Sequence, residues 1–457
     1  MQTYSCNSFS LIIGVICGST TQVEPLLNDI NNLIKLPYLI DIEVHILANG
    51  EKCKDIIFLL KSIFNVSESL IFKVHESGKS SILPIGQARS KLQKLVGTRM
   101  KNKESSYVWI LDDDMRIPDR ANAYLTWLPA FKDKGVDVLV GNFNGSSPNP
   151  PAHGIRVQLN DVIHNLKWLN SFPDDSRLLN REHENKQFRL KYPDYYYDLS
   201  RKHREHLAMP YWIIPEYEGE TVGDAKQRII KNVGKILTGE PFLRPLDVLV
   251  SEKPLEDSEP SCNRGGNTFI LTAEALTETP NAIMLTNGEE NRRSDMIWAI
   301  INKYYHNFTI HSISFPVYHH RYVNVSPSFS LSKTISEIRG AALYAAMLSF
   351  FQSLQNPSWD QLKNNESYVS KLYFEHIKTR LELYEDNFKE IKIQLEIIES
   401  EYMPDDIDFN NVTNSLRDWA SAENFEKIKI SVIESSRSID IAEFLKSLDY
   451  QIKSFNE

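Results

Sequence analysis

Residues 107–119 read YVWILDDDMRIPD, an apolar run that passes directly into three consecutive carboxylates. Tyr, Val, Trp, Ile and Leu in succession, closed by acidic turn-forming residues, fit a strand buried on both faces. Such strands belong to parallel sheets covered by helices, which bind ligands beyond the carboxyl ends of their strands. The aspartates stand at that end. Two-residue alternation predicts Asp112 and Asp114 on one side of the chain and Asp113 on the other. Two carboxylates converging there repel strongly unless a cation sits between them. Hard oxygen ligands favour Mg²⁺ or Mn²⁺, with coordination positions left over for phosphate oxygens.

The flanking sequence repeats the pattern. Residues 11–17 (LIIGVIC), 43–48 (EVHILA), 70–75 (LIFKVH) and 136–140 (VDVLV) read as further strands, with helices expected over 23–35, 54–64 and 87–100. Residues 1–144 therefore form a Rossmann-like α/β half. Residues 145–260 break the rhythm with Pro, Tyr, Asp and Arg, including YPDYYYDL at 192–199, and read as an insertion serving as lid or acceptor platform. The α/β pattern resumes over 261–329, with a strand at 267–271, a helix at 295–305 and a strand at 308–315 leading to Tyr318-His319-His320. From 330 to 457 the chain reads as helices, at 335–354, 369–399 and near 441–455. In the second, Val369, Leu372, Tyr373, Ile377, Leu381, Tyr384, Phe388 and Ile391 recur at helical spacing. That stripe is the signature of packing or a homo-oligomer contact, not of a cofactor site.

A length of 457 residues implies two or three folding units. The net charge of -9 argues against a nucleic-acid-binding surface. Cys6, Cys17, Cys53 and Cys262 show no paired metal-ligand spacing and fit a reducing compartment. The start, MQTYSCNSFS, lacks the basic region of a signal peptide, and residues 11–17 are too short to span a bilayer. A cytoplasmic protein without a transmembrane segment is expected. Ser77-Gly78-Lys79-Ser80 imitates a phosphate-binding loop, but the glycine required five positions before Gly78 is Lys73.

Taken in order, these segments resemble the GT-A-fold glycosyltransferases, specifically the large inverting family that carries a DxD motif. ILDDDMRIPD is similar to the DxD segment, which holds the metal and contacts the nucleotide. IGQARSKL (85–92) is similar to the family's G-x-A-R-N-x-G/A-L, with Arg89 at the arginine near the nucleotide and Ser90 in place of Asn. LANGEKCKD (47–55) looks like D-D/N-G-S-x-D, which would face Asn49 to the base, although Glu51 replaces Ser. CNRGGNTFILTAEAL (262–276) is similar to the glycine pair beside the donor sugar, here Gly265 and Gly266 followed by Asn267. GEENRRSDMIWAIINKYY (288–305) puts Asp295 where the acceptor-activating carboxylate stands, with Ser294 in place of the usual Glu.

The resemblance implies a fold, GT-A plus a C-terminal α-helical region, and a reaction. A sugar would pass from a nucleoside-diphosphate sugar to an acceptor hydroxyl, with inversion and with Asp295 as general base. Asp112, Asp114 and His319, or His320 in its stead, would hold Mn²⁺ or Mg²⁺ against the charge on the departing diphosphate. Ser19, Asn49, Arg89 and Asp113 would line the nucleotide, and Gly265, Gly266, Asn267 and Glu290 the sugars. Glu289 or Glu290 stands next in line as base. Arg292, Arg293 and Arg321 are available for phosphates. From the residues alone, Asp295 also suits the first turn of a helix for capping and dipole reasons. Two other readings compete. A sugar nucleotidyltransferase would need a glycine-rich basic loop after the first strand, which Gly18-Ser19-Thr20-Thr21-Gln22 does not match. The other is a non-catalytic GT-A-like module that only binds a nucleotide-sugar.

Overall fold

The β-branched and aromatic runs become the middle of one twisted sheet because each strand can be buried on both sides by the helices between them. The computed structural model describes residues 8–33, 35–64, 70–77, 82–145, 152–191, 210–238, 242–243, 251–281, 284–286, 289–320, 330–402, 407–437 and 439–456. The strands are β1 (Phe9–Cys17), β2 (Leu39–Ala48), β3 (Leu70–Glu76), β4 (Ser106–Asp112), β5 (Met115–Arg116), β6 (Val138–Gly145), β7 (Glu259–Pro260), β8 (Asn267–Ile270) and β11 (Ile310–His319). They run in the order β3-β2-β1-β4-β8-β6-β11-β5, with β7 on β11. β1, β2, β3 and β4 are mutually parallel, and β6 is parallel to β11. β8 is antiparallel to both β4 and β6, so the carboxyl ends of β1, β4, β6 and β11 still reach one edge. A separate two-stranded ribbon pairs β9 (Leu285–Thr286) with β10 (Glu289–Glu290). The fold is thus α/β, a mostly parallel sheet with flanking helices and a C-terminal helical region, as the sequence indicates.

Alternation along the strands divides the core in two. Leu11, Ile13, Val15, Trp109 and Leu111 face α1 (Thr20–Leu33), whose Val23, Leu26, Leu27 and Ile30 are fully buried there, and Ile56 and Leu60 of α2 (Cys53–Ile63) join the same core. Trp109 stacks on Phe269 with ring centroids 4.7 Å apart, and its indole N–H donates to Asn267 Oδ1 at 2.7 Å. Ile12, Val108 and Ile110 face the opposite way, against Ala88, Leu92 and Val96 of α3 (Ile85–Lys101). This second core runs on without a break through the Ser294–Tyr304 helix into the tail. Each such Leu, Ile or Val contributes about 1.5–3 kcal/mol by leaving water.

The tail is the helices Leu331–Gln352, Glu366–Glu401, Ile407–Trp419, Ala422–Arg437 and Ile441–Asn456, with a short Trp359–Asn364 helix between the first two. The stripe on Glu366–Glu401 is buried at Val369, Tyr373, Ile377, Leu381, Phe388 and Ile391, so it is internal packing. It packs in part against Ala152–Leu169, a helix from the middle segment, where Arg156 pairs with Glu390 at 2.9 Å. That middle segment is not merely a surface loop. Asp161, Asn165 and Asn185 grip the backbone of residues 211–213 with five hydrogen bonds of 2.8–3.0 Å. The YPDYYYDL stretch and Arg321 lie outside the described residues. Among the described residues no helix is long and apolar enough to cross a membrane.

One carboxylate sits inside the sheet. Glu43 of β2 is fully buried and accepts from Lys73 at 2.7 Å, Arg99 at 2.5 Å and His45 at 3.0 Å. Burial pushes Glu43 up, but those three hydrogen bonds outweigh it and hold the group down at about 2 against an ordinary 4.5. A lowered carboxylate contributes its stability above pH 4.5 and loses it as pH falls towards 2. Glu43→Gln is therefore expected to cost about 1.5–3 kcal/mol at neutral pH, the range for hydrogen bonds to a charged group. Thermal melts of both proteins from pH 7 to pH 3 check this: the gap should narrow on acidification, and a gap independent of pH would contradict it.

Candidate functional site

β4 ends at Asp112, and the next two residues form a turn into β5 rather than continuing as strand. The expected alternation therefore stops there, and each aspartate finds its own partner. Asp113 Oδ2 accepts from the Gly18 backbone N–H at 2.8 Å, in the loop after β1. Asp114 turns inward. Its Oδ2 lies 2.7 Å from His319 Nε2 and accepts from Gln22 Nε2 at 3.3 Å, while its Oδ1 is buried with no hydrogen-bond partner. The pair forms because β11 lies antiparallel to β5, with His319 opposite Met115. His319 is buried, whereas His320 is exposed and donates its backbone N–H to Asp114 O at 2.7 Å. His319 thus brings its ring to Asp114.

Asp112 is placed by a glycine. Its backbone N–H donates to Gly266 O at 3.1 Å, and a methyl group at Gly266 would stand 2.1 Å from Asp112 Oδ2. Only a residue without a side chain lets the loop lie on that carboxylate. Asn267, next in line, is fully buried in β8 and occupied by Trp109, so its side chain faces the core. Asn49 is buried too, and its amide clasps Leu83, accepting from its N–H at 2.8 Å and donating to its O at 3.1 Å. It thereby ties the end of β2 to the loop that starts α3. Ser19 is half-buried beside Gly18, and Gly265 is half-buried beside Gly266. The side chain of Glu290 lies outside the described residues, although its backbone is paired in β10.

Asp295 stands in the first turn of Ser294–Tyr304 and accepts from its neighbour Met296 N–H at 3.0 Å. The capping position itself belongs to Arg293, which adopts a left-handed φ of 78°. Asp295 Oδ2 faces Arg89 of α3 at 3.7 Å, both side chains about four-fifths buried. The loop before it is braced by the tail. Arg292 and Arg293 pair with Glu337, Ser336 Oγ accepts from Arg292 N–H, and a methyl at Gly340 would collide with Arg292 O.

Arg264 is a site residue that the sequence motifs above do not mark. It precedes the glycine pair, is 5% exposed, and lies with its guanidinium 4.3 Å from the centre of the Trp298 ring. The signal was available, since a cation adjoining a glycine pair that abuts the aspartates is a phosphate-binding arrangement. Burial and Arg89 push Arg264 down to about 9, against the pull of Asp295 and Asp112. Asp112 is raised by burial, opposed by Arg89 and reinforced by Asp114. Asp113 is pushed up to about 7, first by burial and then by Asp114 and Asp112, against the Gly18 hydrogen bond. These shifts describe a pocket with more like charge than it can hold ionised.

A metal ion would answer that crowding. Among the described residues no group of three or more His, Cys, Asp or Glu side chains is arranged to hold one unaided. The partnerless buried oxygen of Asp114 beside an imidazole nevertheless fits a cation in donor type, with phosphate and water completing the shell as is usual for Mg²⁺.

No family model matches the chain, and no curated protein matches it. Among solved structures, the crystal structure of TarS 1–349 from S. aureus is similar at 10% identity with a TM-score of 0.36, covering 98% of this chain and 92% of that one. A likeness that loose carries no argument about activity or ligand.

The contact between Gly266 and Asp112 yields a direct expectation. Gly266→Ala should displace the Asp112 carboxylate and cost about 1–3 kcal/mol, as overpacking does. A lowered melting temperature and a new Asp112 rotamer in a crystal structure of the variant are the readouts. An unchanged melting temperature would contradict the close packing.

Proposed function

We propose that this chain is a metal-dependent glycosyltransferase that moves a sugar from a nucleoside-diphosphate sugar to an acceptor hydroxyl. The observation that carries the reading is the meeting, at one edge of a mostly parallel sheet, of residues far apart in sequence: Asp112 to Asp114 after β4, His319 at the end of β11, Gly266 against Asp112, and Asp295 facing Arg89. In this reading Asp114 and His319, with Asp112, hold Mn²⁺ or Mg²⁺, which when bound offsets charge on the departing diphosphate. Arg89 orients Asp295 from the side. Asp295 accepts the proton of the acceptor hydroxyl as that oxygen bonds to the anomeric carbon, and the bond from that carbon to the diphosphate breaks with its electron pair. Attack from the face opposite the leaving group inverts the anomeric centre. Asp113 and Gly18 close the side of the pocket where Ser19 stands, and Gly265-Gly266 lets the donor approach the backbone.

Two measurements test the reading. Release of nucleoside diphosphate from a panel of nucleotide-sugars, with and without Mn²⁺, is expected for one nucleotide series only and only with metal. Asp114→Asn should weaken Mn²⁺-dependent donor binding by more than the roughly 10–100-fold typical of losing a ligand's supporting partner. A protein that binds no member of the panel with Mn²⁺ is not such an enzyme.

Asp295→Asn separates the base from a purely structural residue. The amide keeps shape and the bond to Met296 but not basicity, so transfer should fall about 10²–10⁴-fold while donor binding is nearly unchanged. Transfer at the unaltered rate would exclude Asp295 as base and move the role to Glu289 or Glu290.

A further inference from the structure

Arg264 presents an electrostatic problem that the protein does not solve with its own residues. Arg264 as a residue is 5% exposed, and among the described residues one of its five N–H donors has a protein acceptor, Gln93 Oε1 at a long 3.4 Å. That oxygen also accepts from Asn281 Nδ2. The remaining contact is the face of Trp298. Among the described residues no carboxylate reaches ion-pair distance of Arg264. Asp295 and Asp112 act on it only through space, and the other guanidinium, Arg89, is engaged by Asp295. A buried cation without a hydrogen-bonded anion is costly to fold, and such groups normally belong to a pair. An anion from solution would complete that shell.

We infer that Arg264 is a metal-independent seat for one phosphate of the donor's diphosphate. The choice of diphosphate rests on the glycosyltransferase reading; the need for an anion does not. The planar fork matches phosphate oxygens two at a time, and stacking on Trp298 fixes its plane. Gly265-Gly266 follows Arg264 directly, and the Asp112 carboxylate lies against Gly266. The aspartates alone would repel a diphosphate. Arg264 supplies fixed positive charge on their Gly266 side, whether or not a metal has bound.

The test uses the full chain in EDTA, with pyrophosphate and inorganic phosphate as probes, read by calorimetry and by thermal shift. Pyrophosphate is expected to bind and stabilise the unaltered protein without metal. Arg264→Met should weaken that binding about 10- to 100-fold, the loss of one charge-assisted interaction. Arg264→Lys, which keeps charge but not the fork, should fall between. Without any anion, Arg264→Met should melt no lower than the original, because it removes an uncompensated charge and still packs on Trp298. If Arg264 merely neutralises Asp112 and Asp295, that variant melts lower without anion and keeps the pyrophosphate shift, which overturns the inference. So does absence of pyrophosphate binding in EDTA, or equal binding by all three proteins. Should Arg264→Met not fold, the comparison with Arg264→Lys decides alone. Pyrophosphate held through Arg264 with no nucleotide-sugar turned over would keep the seat and sink the glycosyltransferase reading. Nucleotide-sugar turnover with pyrophosphate binding indifferent to Arg264 would do the reverse.

Discussion

Four carboxylates crowd one edge of the sheet, and the surroundings of that edge follow from keeping them there. At an effective dielectric of about 20, two unit charges 4 Å apart interact by about 4 kcal/mol, so carboxylates gathered at one edge call for partners. The protein answers each separately. A backbone N–H from Gly18 meets Asp113, the His319 ring meets Asp114, and Arg89 meets Asp295. Asp112 is half-buried, with its pKa raised by burial and with through-space help from Arg89 and His319. What is left unanswered is the partnerless oxygen of Asp114 and the incomplete shell of Arg264, one inviting a cation and the other an anion. A metal–diphosphate pair has that complementarity.

The placement is a property of topology. Because β8 runs antiparallel between β4 and β6, the parallel strands on either side deliver their carboxyl ends to the same edge. The return of β11 alongside β5 then sets His319 against Asp114, although the two are 205 positions apart in the chain. Asp295 depends on more than the sheet. Its loop carries a left-handed Arg293, a conformation that costs free energy outside glycine and persists only where neighbours over-determine it. Those neighbours are Ser336, Glu337 and Gly340 of the first tail helix. The tail is thus a buttress for the loop that carries Asp295, and the helix Ala152–Leu169 braces the tail in turn.

The parts of the fold that the sequence made legible are those governed by short-range periodicity. Buried runs of Val, Ile and Leu specified the strands, and the stripe from Val369 to Ile391 specified the long helix, because burial on a fixed face imposes a fixed period. Ala152–Leu169 was harder to read, since buried Arg156, Asp161 and Asn165 interrupt any apolar stripe. Ile407–Trp419, rich in Asn, Asp and Thr, owes its helicity to packing on Glu366–Glu401 rather than to propensity.

Within the candidate site, the sequence by itself determined which groups reach the edge: aspartates at a strand end, a glycine pair, an acidic helix start, a histidine closing a strand. Tertiary structure alone decided how they are used. It broke the alternation after Asp112 into a turn, set the His319 ring against Asp114, and turned Asn49 into a clasp for Leu83. It also buried Arg264 on Trp298 beside the aspartates. The physical reason is range. Strand and helix periods are fixed between neighbours in the chain, whereas compensation of charge acts through space between residues that only the finished fold brings together.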